Sequence, residues 1–358
     1  MEVTINRASE DQRKPIPTDD TQLGFGRYFS DHMFLYDYSP EEGWHDPRIV
    51  PYGPLPLDPA CMVLHYGQEC FEGLKAYRGA DGGIRLFRHR MNMERLQRSA
   101  KRLCMPAFDI DEVCDALKQL VLLDRDWIPR TEGCSLYVRP NYIATDPFLG
   151  VRPSLNYLFY IMVGPVGAYY PEGFNPVNIY VSDRYVRAVR GGVGEAKTAG
   201  NYAASLLAQM EAKKKGFTQV LWLDGVERRF IEEVGTMNIF FVIGDEVITS
   251  PLTGSILPGV TRDSVLHILR AWGHKVSERM LGIDEVVEAA EKGTLREAFG
   301  TGTAAIISPV GSLNYKGTDH RVADGKTGEL SLKLYDHILA LQYGRKDDPY
   351  GWVERLDL

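Results

Sequence analysis

The chain has few of the features that mark several large protein classes. Its five cysteines, Cys61, Cys70, Cys104, Cys114 and Cys134, are odd in number and widely spaced, with no C-x-x-C and no neighbouring histidine array. That spacing is poor material for a disulfide framework or a zinc site, and it fits a reducing compartment. Long apolar runs are missing too: the strongest, Ile239-Phe240-Phe241-Val242-Ile243, falls far short of the roughly 20 residues a membrane-spanning helix needs. Positive charge is not in excess, with 41 Lys and Arg against 48 Asp and Glu and a formal net charge of -7. A nucleic acid or an anionic membrane would select a basic face, so the expected partner is a small molecule. No internal repeat and no low-complexity segment occurs. Residues Met1 to Gln22 mix Glu2, Arg7, Glu10, Asp11, Arg13, Lys14, Asp19 and Asp20 without an apolar stretch, so neither a signal peptide nor a transit peptide is expected. The expected location is the cytoplasm.

What is present is an ordinary globular composition, 44% hydrophobic and 25% charged over 358 residues, a length that predicts about two domains. Tyr28 to Tyr38 is strand-like, and Gly67 to Arg88 carries short apolar runs cut by glycines, a pattern that predicts hairpins. Helical spacing of apolar residues predicts helices over Asn92 to Cys104, Asp111 to Leu122, Asn201 to Lys214, Thr261 to Trp272, Ile283 to Ala290 and Ser331 to Gln342. Strands are predicted over Ser135 to Asn141, Leu155 to Val163, Val177 to Ser182, Gln219 to Leu223 and Arg228 to Val234, with Asp224-Gly225 as a two-residue hairpin turn. Gly244-Asp245 is a second such turn, between Asn238 to Val242 and Glu246 to Ser250. The stretch 164–178, with Pro165, Gly167, Pro171, Gly173 and Pro176, is the expected linker between a smaller domain over 1–163 and a larger one over 179–358. The order of elements predicts an α+β fold with β-rich cores, not a doubly wound sheet.

Lys197 stands in Arg-Gly-Gly-Val-Gly-Glu-Ala-Lys-Thr-Ala-Gly-Asn-Tyr, among Gly191, Gly192, Gly194 and Gly200. Glycine costs backbone entropy and is used where a chain turns sharply or approaches something closely. Two chemistries place a lysine there. A nucleotide-binding loop wraps phosphate in backbone N–H groups, and Gly191 to Thr198 is one substitution short of G-x-x-x-x-G-K-[ST]. A desolvated lysine can instead form a Schiff base with the carbonyl of pyridoxal phosphate. Ala196 occupies a glycine position of the phosphate loop, and Arg184 to Arg190 carries three arginines, wrong for a buried parallel strand. Asp224, the possible metal-binding aspartate of a nucleotide site, precedes Gly225 and suits a turn.

A pyridoxal phosphate site needs, besides the lysine, a carboxylate at the pyridine nitrogen and N–H groups with a cation for the phosphate. Glu232 and Glu233 lie in the apolar run Phe230 to Gly235; strand side chains alternate, so one of the two points into an interior site. Taken alone, the strand favours reading both as solvated hairpin carboxylates. Leu257-Pro258-Gly259-Val260-Thr261 opens a helix and would present unpaired N–H groups, or be an ordinary start with Thr261 as N-cap. Phe299 to Ala305, with Gly300 and Gly302, is either a close backbone approach to a ligand or a tight turn. Arg88, Arg139 and Arg187 sit in apolar company, where an arginine usually has an anion partner and, singly, most often a structural one.

Seven blocks together resemble the branched-chain amino acid aminotransferases, class IV pyridoxal phosphate transaminases: LHYGQECFEGLK from Leu64, LFRHRMN from Leu86, LYVRP from Leu136, GGVGEAKTAGNY from Gly191, EVGTMN from Glu233, LPGVTR from Leu257 and FGTGTA from Phe299. The resemblance runs from about Gly24 to Gly344. It implies the two-domain, fold-type IV architecture of the D-amino acid aminotransferase-like enzymes. It implies pyridoxal 5'-phosphate as cofactor, and reversible transamination of leucine, isoleucine and valine with 2-oxoglutarate in branched-chain amino acid metabolism. Lys197 matches the Schiff-base lysine, Tyr202 the phenol near the ring hydroxyl, and Glu233 the carboxylate on the pyridine nitrogen. Arg88, Thr236, Val260, Thr261 and Thr303 match phosphate contacts, and Arg187 an arginine beside the cofactor. Tyr137, Thr303 and Ala304 match positions that hold the substrate carboxylate, supported by Arg139, while Phe71, Tyr66 and Tyr169 match aromatic walls of the side-chain pocket. Family members take Tyr66 from the opposite subunit, so a homodimer is expected. The mammalian relatives' C-x-x-C is replaced here by Ala305-Ile306-Ile307-Ser308, which excludes a thiol switch at that place. No metal is expected. A D-amino acid transaminase and an aminodeoxychorismate lyase share the lysine and glutamate. A nucleotide-binding ATPase and a non-catalytic binding protein are the alternatives from other classes.

Overall fold

The computed structural model describes residues 1–169 and 174–356, so Pro171 and Gly173 of the expected linker lie outside the described residues. Two compact units account for the described residues: 1–169, 196–199 and 339–356 form one, 174–195 and 200–338 the other. The lysine-bearing segment therefore groups with the first unit, apart from the residues that flank it. The reason is local: its backbone bonds to elements of that unit, as set out below.

The first unit is built on a nine-stranded mixed sheet. Its strands are β1 (Thr4–Ile5), β2 (His32–Ser39), β3 (Gly43–Pro51), β4 (Glu69–Phe71), β5 (Leu74–Arg78), β6 (Ile84–Phe87), β7 (Ser135–Ala144) and β8 (Tyr157–Val166), completed by a C-terminal strand. The expected apolar strand becomes β8, which lies between β2 and β7 and is antiparallel to both. Its buried residues Tyr157, Leu158, Phe159, Ile161 and Val163 fall on both faces, which suits a position covered on each side. Helices α1 (Met62–Tyr66), α2 (His89–Arg102) and α3 (Ile110–Leu123) accompany this sheet. Asp109 caps α3 by accepting the N–H groups of Asp111 and Glu112, and Val113, Ala116, Leu117, Leu120 and Val121 form its buried stripe. They join Phe34, Leu96, Tyr142 and Phe159 in one core.

In the second unit the strands are β9 (Val177–Ser182), β10 (Gln219–Leu223), β11 (Ile231–Val234), β12 (Met237–Ile243), β13 (Glu246–Thr249), β14 (Lys275–Glu278), β15 (Leu295–Gly302), β16 (Ile306–Tyr315) and β17 (Thr318–Arg321). Strand β11 pairs with both β10 and β12, so the order β11-β10-β9-β16-β15-β12 closes on itself. Closure removes two sheet edges and encloses an interior filled by alternate side chains. Helix α4 (Ala199–Lys214) makes the crossover between the parallel strands β9 and β10, and α5 (Val260–Ala271) and α6 (Ile283–Glu291) follow. Helix α7 (Glu329–Gln342) leads to β18 (Val353–Leu356), which is antiparallel to β6 in the first sheet. No helix among the described residues is long and apolar enough to cross a membrane.

Two turns contrast. Gly244-Asp245 is the expected two-residue hairpin turn, with Ile243 paired to Glu246. Asp224-Gly225 is not: β10 and β11 are joined by residues 224–230, and the Asp224 carboxylate accepts the N–H groups of Val226, Glu227, Arg229 and Phe230 at 2.7–3.1 Å. A side chain that satisfies four backbone donors holds a longer loop, whose base is closed by the Asp224 N–H donating to the Phe230 carbonyl at 2.8 Å.

Trp222 of β10 is fully buried, stands opposite Glu233 in the ladder, and donates its indole N–H to the Gly235 carbonyl at 2.9 Å. Trp222→Ala is expected to destabilise the protein by roughly 3–5 kcal/mol, the usual cost of emptying such a site. Urea unfolding of the two chains measures it.

Candidate active site

In the first unit Lys197 is anchored through its backbone. Its N–H donates to Ser99 Oγ of α2 at 2.9 Å, and its carbonyl accepts the Phe71 N–H of β4 at 3.0 Å. The next residue, Thr198, donates its hydroxyl to the Glu69 carbonyl at 2.7 Å. The Lys197 amine lies 4.9 Å from the centre of the Phe71 ring, and the Arg139 guanidinium 4.8 Å from the same centre. Arg139 Nη2 donates to the Tyr137 hydroxyl at 3.0 Å, while Arg139 Nε is buried without a hydrogen-bond partner. A Cβ on Gly73 would fall 2.0 Å from that hydroxyl, so glycine is what lets Tyr137 reach its place. Lys197, Phe71, Tyr137 and Arg139 are thus brought together. Tyr66, ending α1, and Tyr169 stand at the surface of the unit, 42% and 43% exposed. Arg88 opens α2 in a left-handed backbone conformation, φ 50°. Its N–H donates to the Trp352 carbonyl at 2.7 Å, and its guanidinium lies 4.6 Å from the Trp352 ring centre.

In the second unit Arg187, Tyr202, Glu233 and Thr236 line one recess with Asn201, Ser205, Gly235 and Leu257, about 290 Å³ counted out to open solvent. Glu233 is 3% exposed. One carboxylate oxygen pairs with Arg187 Nε at 2.9 Å, and the other accepts the Leu257 N–H at 2.8 Å. Arg187 also donates to the Gly194 carbonyl at 3.0 Å and to the Ser255 carbonyl. A Cβ on Gly194 would meet that same Ser255 carbonyl at 2.2 Å, a close approach that only glycine allows. Helix α5 begins at Val260, with Gly259 as its extended N-cap and no side-chain capping bond. Thr261 is therefore inside the first turn and not the cap, and the N-terminal N–H groups are left to an acceptor from elsewhere. Thr303 and Ala304 belong to the three-residue loop 303–305 between β15 and β16. The loop closes at Ile306 with φ 63°, a left-handed conformation costly for a β-branched residue and concentrated at functional sites. Gly300 and Gly302 lie within β15 against the Met237 side chain, so packing accounts for both.

The two adjacent carboxylates separate cleanly. Neither is solvated, Glu232 being 6% exposed, which overturns the reading of both as surface hairpin acids. Glu232 lines a different recess with Arg190, Asp224, Phe230 and Met280. It accepts the Ser255 hydroxyl on Oε1, and its Oε2 has no hydrogen-bond partner. Burial raises its pKa above the usual carboxylate range, against the opposing effects of Ser255 and Arg187.

These residues suit a phosphorylated pyridine: a buried carboxylate, a phenol and a threonine hydroxyl share one recess, and an uncapped helix start lies close in sequence. Several polar residues beside the predicted ones escaped sequence reasoning. Glu72, Asn92, Arg95 and Ser99 surround the Lys197 segment, and Trp352 backs Arg88 from a tail with no assigned role. The three on α2 recur at helical spacing beside its apolar residues, so nothing in the sequence set them apart.

The class IV amino-transferase profile matches residues 69–313. Branched-chain-amino-acid aminotransferase 2 of Bacillus subtilis (strain 168) is 56% identical over 350 residues, 98% of this chain and 96% of that protein. Among solved structures, the Escherichia coli branched-chain amino acid aminotransferase superposes with a TM-score of 0.74 at 28% identity, covering 90% of this chain and 98% of that one. The branched-chain amino acid aminotransferase of Thermobaculum terrenum, in its PLP-bound holo form, gives 0.74 at 25% identity, covering 91% and 98%. The chain belongs to the class IV aminotransferases and, within them, to the branched-chain-amino-acid aminotransferase family.

The raised pKa of Glu232 fixes the sign of a stability effect. The folded state favours its protonated form, so its contribution is greatest below the ordinary glutamate pKa and is lost as pH rises through the raised value. Glu232→Gln, which cannot ionise, should gain stability relative to the parent as pH is raised from about 4, the ordinary glutamate range, toward neutrality. Melting temperatures of both chains across that range check it.

Proposed function

We propose that the protein transfers the amino group of L-leucine, L-isoleucine or L-valine to 2-oxoglutarate, reversibly, with pyridoxal 5'-phosphate as cofactor. The observation that carries this reading is the wall shared by Glu233, Tyr202, Thr236 and Arg187, in a chain 56% identical over nearly its whole length to a branched-chain-amino-acid aminotransferase. When bound, the cofactor supplies a carbonyl for amine exchange and an electron sink for the pair left at the substrate Cα. Glu233 holds the proton on the ring nitrogen, and Tyr202 bonds the ring hydroxyl. Arg88, Thr236, Thr303 and the N–H groups of Val260 and Thr261 bind the phosphate, with Arg187 fixing the Glu233 carboxylate. The Lys197 amine would carry the proton from the substrate Cα to the cofactor's C4′, acting first as general base and then as general acid. Tyr137, supported by Arg139, receives the substrate carboxylate together with the loop of Thr303 and Ala304. Phe71, Tyr66 and Tyr169 form apolar walls, which distinguish leucine, isoleucine and valine by only about 1–3 kcal/mol per methylene.

The nucleotide alternative loses its support because the groups a phosphate loop would offer are already engaged: the Lys197 N–H bonds Ser99 and the Thr198 hydroxyl bonds Glu69. A homodimer is proposed as well. Helix α4 turns Leu206, Leu207 and Met210 outward, 58%, 54% and 57% exposed, a contiguous apolar face of the kind that marks an interface, and Tyr66 is exposed as a residue lent to a partner would be. Five free cysteines with no disulfide among them favour a reducing compartment, the cytoplasm.

Lys197→Ala should bind the cofactor and lose roughly a thousandfold or more in kcat, consistent with the removal of a general acid–base. Near-normal turnover would sink the assignment. Glu233→Gln should lower activity more than Glu232→Gln, and the reverse order would show that the wrong carboxylate is assigned. A panel of L- and D-amino acids with 2-oxoglutarate separates this activity from that of a D-amino acid transaminase. Replacing both Leu206 and Met210 by Glu should give a monomer by light scattering; a persistent dimer would remove α4 from the interface.

A further inference from the structure

Beside its apolar residues Met93, Leu96 and Ala100, the buried surface of α2 carries a polar stripe, where a core-facing helix is ordinarily apolar. Arg88, Asn92, Arg95 and Ser99 follow one another at steps of four, three and four residues, the spacing that aligns side chains along one helix face. Asn92, Arg95 and Ser99 are 2%, 4% and 1% exposed. Facing them is Glu72, in the turn between β4 and β5, with no exposed surface at all. A buried carboxylate is costly unless paired and fully hydrogen-bonded, and this one is both. Arg95 donates Nε to Oε1 at 2.7 Å and Nη2 to Oε2 at 2.8 Å; Asn92 Nδ2 adds a bond to Oε2 at 2.8 Å, and the Gly73 N–H another at 3.2 Å. Burial by itself would raise the Glu72 pKa, but the charge and bonds of Arg95 and the charge of Lys197 outweigh it and hold the group below its ordinary value. Glu72 thus stays ionised within electrostatic reach of the lysine.

The same two elements grip Lys197 itself. Ser99, one turn beyond Arg95, accepts the Lys197 N–H, while Phe71, the residue before Glu72, donates to the Lys197 carbonyl. We infer that Glu72, through Asn92 and Arg95, is a positioning residue for Lys197: it locks the β4–β5 turn onto α2, and the locked pair, with Ser99, fixes the backbone from which the lysine amine reaches. This rests on the reading of Lys197 as the residue that engages the cofactor covalently. A lysine side chain is long and freely rotating, so an error at its root is carried to the amine, and displacements near about 1 Å are enough to cost two orders of magnitude in rate.

The test uses the full-length protein loaded with pyridoxal phosphate, as the parent chain and as Glu72→Gln, Ser99→Ala and Leu96→Ala. Leu96 lies in the apolar core on the same helix and controls for simple destabilisation. Borohydride reduction followed by mass spectrometry of the Lys197 peptide gives the fraction of bound cofactor fixed on that lysine, and total cofactor is measured after denaturation. Expected are binding within about twofold of the parent, a fixed fraction at least about threefold lower in Glu72→Gln and Ser99→Ala, and a loss in kcat larger than the change in KM. Leu96→Ala should lower the melting temperature while leaving the fraction unchanged. If Glu72→Gln does not fold, Ser99→Ala decides, since it removes one oxygen and no charge. Parent-like fixation in the folded variants, or a loss in Leu96→Ala that tracks its melting temperature, overturns the inference alone. A parent chain that is not fixed on Lys197 overturns the functional reading, and this inference with it.

Discussion

A lysine can carry a reactive amine to a defined point only if the backbone at its root is held, because the side chain itself is a long flexible stem. Here both backbone groups of Lys197 are used, the N–H by Ser99 and the carbonyl by Phe71, and the next side chain is tied to Glu69. These bonds explain why residues 196–199 belong with the first unit although the residues on either side belong with the second. They also explain the composition around them: the buried Glu72 carboxylate is bonded on both oxygens by Arg95 and Asn92, which ties the turn to the helix that holds the lysine segment.

A second constraint operates in the closed sheet of the other unit. Two consecutive glutamates are buried on β11, and burial of two carboxylates is tolerable only if each has its own partners. Strand alternation sends them to different recesses. Glu233 receives Arg187 and the Leu257 N–H, a surrounding that orients the carboxylate; Glu232 receives a serine hydroxyl and keeps one oxygen unpartnered. The ladder that sets this alternation is itself held by Trp222, which stands across from Glu233 and bonds the Gly235 carbonyl through its indole. Barrel closure and the chemistry proposed for Glu233 are therefore linked through one strand.

Much of the fold was legible along the chain. The runs Val177–Ser182 and Gln219–Leu223 appear as strands with the same bounds read from sequence, since each is a short apolar stretch with a clear break at both ends. Helices over apolar periods were found within a few residues. Strands β1, β3 and β14 to β18 were not: β1, β14, β17 and β18 are short and mixed in polarity, with exposed residues such as Lys275, Thr318 and Arg355, while β3, β15 and β16 carry Gly or Pro among polar residues that break the apolar alternation. Asp224-Gly225 misled because the same dipeptide that makes a tight turn also begins a longer loop when the aspartate captures several N–H groups. On α2 the apolar period Met93, Leu96, Ala100 accounted for a helix so well that the polar residues beside it carried no separate signal.

The amino-acid sequence settled the kind of chemistry: a lysine among glycines, paired glutamates in an apolar run, glycine-opened loops and aromatic-flanked arginines occur in one order that fits a single family. It left open what depends on partners remote in the chain. Which glutamate shares a wall with Tyr202, what holds Lys197 at both backbone groups, and why Trp352 matters to Arg88 are decided by pairings across long stretches of chain, 98 residues in the case of Lys197 and Ser99. Local propensity does not encode such contacts. They exist only once β-sheet register and helix packing have brought those backbones together, and the same packing dictates which polar side chains can be buried with their bonds intact.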